Sequence, residues 1–502
     1  MNCRKDLCRR FHLAKPPENL YMWRLDRRAL APGTVDILIN LNKGETMSYL
    51  NKSFAKRNPM KKLNLSVLLG AVVVIVLIAA GFFILPFFET GKPSITLTPD
   101  ITAIGPGKTF TVAFNDEKSG LKQTLVTLTQ NGKTQVLSSV HHPEKGQHSQ
   151  SIPITADLTT LKLIDGPATL RIFAEDHSLM SNKSELVKSV YVDVMPAQIY
   201  LLNTMNHINP GGVCVTLYRT SEPVIESGVF VNDTFFKAYP ITVSGKPCYV
   251  SYFAIPMDAA AQQPLIRAYV KDAGQNETSE NIRFILKKKK FRSDKVNLSD
   301  NFLQRKMPDF QTATPELRGK PLIDVFTYVN TKMREDNFKT IQEICKKSKP
   351  KALWEGTFLR MKDASPMALF GDRRQWLFEG REIGESLHEG IDLASVERAP
   401  VQAANSGVVL FAGPLGIYGN TVIIDHGVGM ISLYAHLSSI QIQEGQAVRK
   451  GDAIGNTGLT GLAGGDHLHF GIMVGGQFVN PIEWWDPHWI ADNVTKKVEI
   501  SF

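Results

Sequence analysis

Beyond Lys62 the sequence has no net charge. The chain holds 57 Lys and Arg against 48 Asp and Glu, and the first 62 residues take 14 and 5 of these, which leaves 43 of each sign. The formal charge of +9 and the pI near 9.1 therefore belong to the N-terminal tail. Nucleic-acid binding needs a basic field over a domain surface, so its absence excludes nucleic acid as a partner. Cysteine is also scarce. Of five, Cys3 and Cys8 lie in the tail, leaving Cys214, Cys248 and Cys345. Three thiols allow at most one intrachain disulfide, with Cys214 and Cys248 as the candidate pair inside one module.

There is one long apolar run, residues 65–88, LSVLLGAVVVIVLIAAGFFILPFF. At about 1.5 Å per helical residue it is long enough to cross a ~30 Å hydrocarbon core, and a single transmembrane helix is expected. Lys56, Arg57, Lys61 and Lys62 precede it, while Glu89 and Lys92 follow. The positive-inside rule then places a basic cytoplasmic tail at 1–62 and the bulk of the chain in a periplasmic or extracellular space, with an inner-membrane location preferred. The competing reading is a cleaved signal peptide. That requires an apolar core of about 7–15 residues ending in a small-x-small site, and neither is found. Residues 1–46 show no periodicity, and the codons of Lys43-Gly44-Glu45 can spell a ribosome-binding site ahead of Met47. Translation is expected to begin at Met47.

At 502 residues there is room for about three domains. From Ser94 to about Leu286, short alternating runs such as TFTVAF, ATLRIFA, VCVTLY and LIRAYV are separated by Gly, Pro, Asn and Asp. This is the pattern of β-sandwich strands. ATLRIFAEDHSLMSNKSEL, from Ala168, and PLIRAYVKDAGQNETSENI, from Pro264, share a strand, an Asp, a polar turn and a Ser-Glu pair. Two tandem immunoglobulin-like modules are expected, at 93–196 and 197–290, acting as spacers. The Lys287–Lys290 run reads as a solvated strand end, anionic polymers being the alternative. Over 295–350 the pattern turns helical, with Leu322, Val325, Phe326, Val329 and Met333 on one face and a second short helix around Ile341 to Cys345. This is a connector packing on the next domain, or, more sharply, a lid over its groove.

From Trp354 onward glycine punctuates short apolar runs, GVVLFAG, NTVIIDHG, ISLYAHL, AIGNTG and HLHFGIMV. They describe a compact antiparallel β domain at 351–490. It holds three histidine elements. In LHEGIDLA an extended chain would put His388 and Asp392 on one face, with Gly390 keeping that face open; in HLH, His467 and His469 share a face while Leu468 points into the core; His436 ends the apolar strand LYAHL. Two imidazoles and a carboxylate suit a catalytic zinc site because they leave a fourth position for water, whose pKa the ion lowers. Two further histidines remain to move protons and steady an oxyanion. Each element is weak alone; their gathering in one domain is the signal. His207 and His426 have no partner pattern and receive no role.

HEGIDLA, AANSGVVLFAG, YGNTVIIDHG, LYAHLSSI, VRKGDAIGNTGLTG and GGDHLHFGIMVGGQFVNP together closely resemble the lysostaphin/LytM-type zinc endopeptidases, metallopeptidase family 23. The resemblance covers roughly residues 354–489. It implies a duplicated-hybrid-motif type of β fold, with His388, Asp392 and His469 holding Zn2+, and His436 and His467 as the two non-ligand catalytic histidines. It also implies hydrolysis of peptide bonds in peptidoglycan stem peptides or cross-bridges. Some relatives that have lost ligands act as non-catalytic activators or scaffolds for other wall hydrolases; here all five positions are filled, so an active enzyme is expected. WEGTFLRM and FGDRRQWLFEG resemble the lead-in of membrane-anchored members. Arg373 and Arg374 in it are read as salt-bridging within the fold, substrate carboxylates being the alternative. The expected whole is mainly β: tail, membrane helix, two sandwich modules, helical connector and peptidase domain. Wall-hydrolase or division-machinery proteins are its expected partners.

Overall fold

The computed structural model describes residues 65–84, 89–158, 160–203 and 205–499. The readings made for 1–62, including a start at Met47 and the thiols Cys3 and Cys8, lie outside them, as does the end of the apolar run. The chain divides into two units, Met1–Val76 and Leu77–Phe502. Leu65–Ile84 is a helix, and its described side chains, Ser66 to Ala79, are all exposed. Among the described residues no helix is long and apolar enough to cross a membrane. The expected anchor is thus described over Leu65–Ile84 as an exposed apolar helix.

The chain is mainly β, as its alternating runs imply. In the first module a three-stranded antiparallel sheet (Ser94–Thr98, Thr109–Asn115, Ser149–Thr155) accompanies a five-stranded one (Ala103–Ile104, Lys183–Val192, Gly166–Asp176, Leu121–Gln130, Lys133–His141). Thr109–Asn115 buries every second residue, sending Phe110, Val112 and Phe114 into a core shared with Leu121, Leu128 and Ile172 of the other sheet. That period of two is why this segment is a half-buried strand.

The second module departs from two separate sheets. Seven strands form one continuous path, because Thr234–Val243 pairs with Val224–Val231 through its first half and with Lys246–Ala254 through its second. A short parallel pair, Asn206–Ile208 with Phe284–Leu286, lies beside it. The sequence repeat has a local cause. Asp176 and Asn182 in one module, and Asp272 and Asn276 in the other, close equivalent hairpins by backbone bonds, and each Asp carboxylate accepts from the following Asn N–H at 2.8 and 2.9 Å. Asp193 then receives the Gly274 N–H at 3.0 Å, tying the modules end to end.

No disulfide forms. Cys214 lies opposite Phe253 on the neighbouring strand, and Cys248 is five residues further along that strand. At about 3.4 Å per residue this separates the two by roughly 17 Å, far beyond disulfide reach. In the lysine run Lys287, Lys288 and Lys290 are exposed, while Lys289 is half-buried with its ammonium 4.8 Å from the Phe291 ring centroid.

The connector holds three successive helices after Ser299 caps the first. They are Asp300–Ala313, Leu322–Tyr328 and Arg334–Cys345, the last two joined without a break by a π turn at Val329–Met333. Val325, Phe326, Val329 and Ile341 are fully buried, which accounts for the helical period. The strand Ser293–Asn297 pairs in parallel with Arg373–Phe378, so the first residues of the expected helical connector, 295–297, are extended instead and complete a small sheet of the last domain.

That domain is organised on a large sheet ordered Ser365–Ala368, Ile391–Ala394, Leu468–Val474, Met430–Leu437, Asn420–Asp425, Gly407–Pro414, Ala447–Val448, antiparallel throughout, with Gln477–Val479 as an extra partner of Leu468–Val474. Met430–Leu437 and Leu468–Val474 are buried at every position, which explains why they are apolar apart from Ser432, His436 and His469. Gly475 and Gly476, with φ of 55° and 78°, form the tight turn of the last hairpin, a geometry that glycine adopts without a Cβ penalty. The second module, connector and last domain share one continuous core from Ala197 to Val494. The buried Glu483 carboxylate joins them, accepting from Asn209 Nδ2 at 2.7 Å and the Val213 N–H at 2.8 Å.

Candidate metal centre

Asp392 sits on the strand Ile391–Ala394, directly across from His469 on Leu468–Val474. His388 reaches the same point by a different route from the one its spacing implies. Residues 381–387 form a strand of the small sheet, the chain bends at Gly390, and a new strand begins at Ile391. His388 and Asp392 thus converge across a bend and not along one extended face. Gly390 lies against the His469 ring, where a Cβ would come within 2.6 Å of Cε1 and Nε2. The backbone of His388 is held by the loop 369–372, its N–H donating to Asp372 O at 2.9 Å and its carbonyl accepting the Gly371 N–H at 2.8 Å.

Three donor atoms meet. His388 Nε2 and Asp392 Oδ1 are 2.9 Å apart, His469 Nδ1 and Asp392 Oδ1 are 2.9 Å apart, and His388 Nε2 and His469 Nδ1 are 3.1 Å apart. Tetrahedral zinc with ~2.0–2.1 Å bonds would hold such atoms about 3.3 Å apart, so the triangle needs only a few tenths of an ångström of expansion. The donor chemistry also fits a cation. His388 Nδ1 lies 2.9 Å from the Leu369 carbonyl, which can only accept, so Nδ1 carries a proton, and Nε2 becomes a ligand once it gives up the proton it shares with Asp392 Oδ1. His469 Nε2 is buried without a hydrogen-bond partner.

Electrostatics keep His469 and Asp392 in their ligating forms near neutral pH. Burial pushes the His469 imidazole down to about 4, so it is uncharged. Burial alone would push the Asp392 carboxyl up, but hydrogen bonds from His388, His467 and His469 outweigh it and hold Asp392 well below the usual carboxylate range. Arg374 Nη2 stands 3.5 Å from Asp392 Oδ2, whereas Arg373 pairs at the surface with Glu385 at 3.3 Å. The two arginines therefore divide: Arg373 bridges within the fold and Arg374 faces the site.

His436 and His467 lie beside the triangle, with ring centroids 4.9 Å apart and the His436 ring 5.8 Å from that of His469. Each has its Nδ1 on a main-chain carbonyl, His436 on Thr460 O at 2.9 Å and His467 on Gly465 O at 2.8 Å; this leaves His436 Nε2 as an acceptor, whereas His467 Nε2 faces Asp392 Oδ1 at 3.4 Å as a donor. His436 holds a left-handed φ of 63° at the end of its strand, a strained conformation for a residue with a Cβ, and this turns its ring toward the site. Burial drives the His436 imidazole well below its ordinary value; for His467 the downward pull of burial is outweighed by Asp392, 3.4 Å away, and the net shift is upward.

All five site residues of the sequence reading are thus brought together. His426 is fully buried between Ser406 O and Ser432 Oγ, both at 2.7 Å, and His207 is exposed on a separate strand, so neither joins them. The five residues line a groove of about 490 Å3 with Leu298, Phe302, Arg334 and Trp376. Sequence reasoning missed these four as groove residues. The first three come from the segment before the family-like region, and nothing in an amphipathic period says which neighbouring site a helix will border.

Residues 386–481 match the family model of peptidase family M23. DD-carboxypeptidase/endopeptidase Mpg of Neisseria meningitidis is 48% identical over 96 residues, covering 19% of this chain and 22% of that protein. Peptidoglycan DD-endopeptidase ShyA of Vibrio cholerae is 37% identical over 115 residues, 23% of this chain and 26% of its own. The match thus spans about a quarter or less of these relatives. The catalytic domain of lysostaphin from Staphylococcus simulans is 26% identical and covers 26% of this chain and 98% of that one, with a TM-score of 0.22. The segment 386–481, which carries all five site residues, thus matches peptidase family M23.

Proposed function

We propose that this chain is a zinc-dependent endopeptidase that hydrolyses peptide bonds of peptidoglycan stem peptides or cross-bridges. The observation that carries the reading is the triangle of His388 Nε2, Asp392 Oδ1 and His469 Nδ1, with edges of 2.9–3.1 Å, at the floor of an open groove. Those three residues hold the ion. Bound there, zinc would polarise the scissile carbonyl and make a water molecule acidic. His436, with a lone pair at Nε2, is placed to take the water's proton, and His467, with an N–H at Nε2, is placed to stabilise the developing oxyanion. Asp392 orients His388, His467 and His469 at once, and the carbonyls of Leu369, Thr460 and Gly465 fix three of the imidazole tautomers. The relatives' names supply the substrate class.

In this reading the apolar run 65–88, whose end lies outside the described residues, serves as a membrane anchor, with the tail cytoplasmic and the β modules, immunoglobulin-like in kind, as spacers toward the wall. Wall-hydrolase or division-machinery proteins are its proposed partners. The test is digestion of purified peptidoglycan by the full-length protein loaded with zinc, the products being identified by mass spectrometry. Release of peptide fragments by the wild type and none by His469→Ala supports the reading. An inert wild type that stimulates a second wall hydrolase would replace it with the activator reading.

A further inference from the structure

We propose that Arg334, on the connector helix, is a substrate-binding residue of the groove and takes a carboxylate of the peptide being cut. The proposal rests on the peptidase reading above and extends it to a residue outside the matched segment 386–481.

Arg334 begins the helix Arg334–Cys345 immediately after the π turn Val329–Met333. Such turns are rare and recur at functional sites. It lines the same groove as His388, Asp392, His436 and His469. Its guanidinium is poorly satisfied. Nη2 donates to Asn330 Oδ1 at a long 3.3 Å, Nε is sealed from solvent without a partner, and no carboxylate comes within ion-pair distance among the described residues. Glu389 and Tyr418 act on it only through space, neither of them bonding the guanidinium. The other groove arginine, Arg374, adds positive charge and is itself turned to Asp392.

A charge withdrawn from water in this way is costly unless an opposite charge reaches it. The planar guanidinium presents parallel donors matched to a carboxylate, and such charge-assisted pairs are the strong ones. Leu298, Phe302 and Trp376 give the groove an apolar wall for the rest of the peptide. A wall stem peptide offers free carboxylates at its chain end and on its acidic side chains, and either source has the required chemistry. On this account the connector is a wall of the binding groove, not a removable lid.

The test uses the full-length zinc-loaded protein and three defined cross-linked stem-peptide dimers: one with all carboxylates free, one amidated at the chain end and one amidated on the side chain. Wild type is expected to prefer the free form over one of the amidated forms by about 10- to 100-fold in kcat/KM, mostly through KM, and the form that is discriminated against identifies the source. R334Q is expected to lose that factor on the free substrate and to change by less than about twofold on the disfavoured form. R334K, which keeps the charge without the fork, should recover part of the loss, and zinc content and melting temperature are measured alongside. If R334Q does not fold, R334K is expected to show reduced discrimination by itself. Equal losses on every substrate, or discrimination untouched in both variants, overturn the proposal while leaving the peptidase intact. A wild type that cleaves none of the three overturns the peptidase reading and this proposal with it.

Discussion

Replacing Gly390 with alanine should weaken metal binding without unfolding the chain. The added Cβ would stand 2.6 Å from Cε1 and Nε2 of His469 and 2.7 Å from the Phe470 carbonyl oxygen. Ordinary contacts begin near 3.5 Å, so roughly 0.8–0.9 Å has to be found. The carbonyl cannot yield, because Leu468–Val474 is a central strand buried at every position. The movement must therefore come from the His469 ring or from the bend that sets His388 against Asp392. Metal–ligand distances tolerate only about 0.2 Å, and comparable disturbances around a ligand cost about 10- to 100-fold in affinity, or about 1.4–2.7 kcal/mol. Competition with a chromogenic chelator at neutral pH measures this, with thermal melts of the metal-free proteins as the control for folding. A variant that binds zinc within twofold of wild type would refute the reasoning, since the methyl would then have found room the packing does not provide.

Three other predictions concern the histidines and thiols. His436→Ala and His467→Ala should each lower turnover on purified wall by about 100- to 1,000-fold, as loss of a transition-state hydrogen bond does elsewhere, while leaving bound zinc unchanged. His426 is held near 4 by burial against about 6.5 in an unfolded chain. The folded value is the lower one for a base, so its contribution is complete above pH ~6.5 and is lost as pH falls toward 4. The loss is about 2 kcal/mol at pH 5, and chemical denaturation of wild type and His426→Asn at pH 7 and 5 should show a flatter dependence in the variant. Cys214, Cys248 and Cys345 should titrate as free thiols only on denaturation, since all three are buried and burial pushes Cys214 up to about 11 and Cys345 up to about 12. Detection of a Cys214–Cys248 crosslink by peptide mapping would contradict the strand register.

Much of the last domain was legible because its signals are local. ISLYAHL and HLHFGIMV are mostly apolar runs interrupted by Ser432 and the histidines, and they are the two central strands; His467 and His469 flank Leu468, which is 2% exposed, and both reach Asp392. His388 was matched to the right partner for an incomplete reason: even spacing implies a shared strand face, but the chain bends at Gly390 between two different sheets. Strand register is a long-range property, so nothing local told that Cys214 faces Phe253. The same holds for the shared core of the second module and the last domain, where Asn209 and Val213 meet Glu483 some 270 positions later. Arg334 was invisible for another reason. A single arginine at the start of an amphipathic helix reads as a solvated charge, and only packing reveals that its Nε is sealed and its groove belongs to another domain.

The most direct measurement counts zinc per chain in purified full-length wild type, His469→Ala and His436→Ala after equilibration with the metal and removal of the excess. One equivalent, none and one equivalent are expected in that order. Zinc retained by His469→Ala, or none taken up by the wild type, would contradict a centre built from His388, Asp392 and His469.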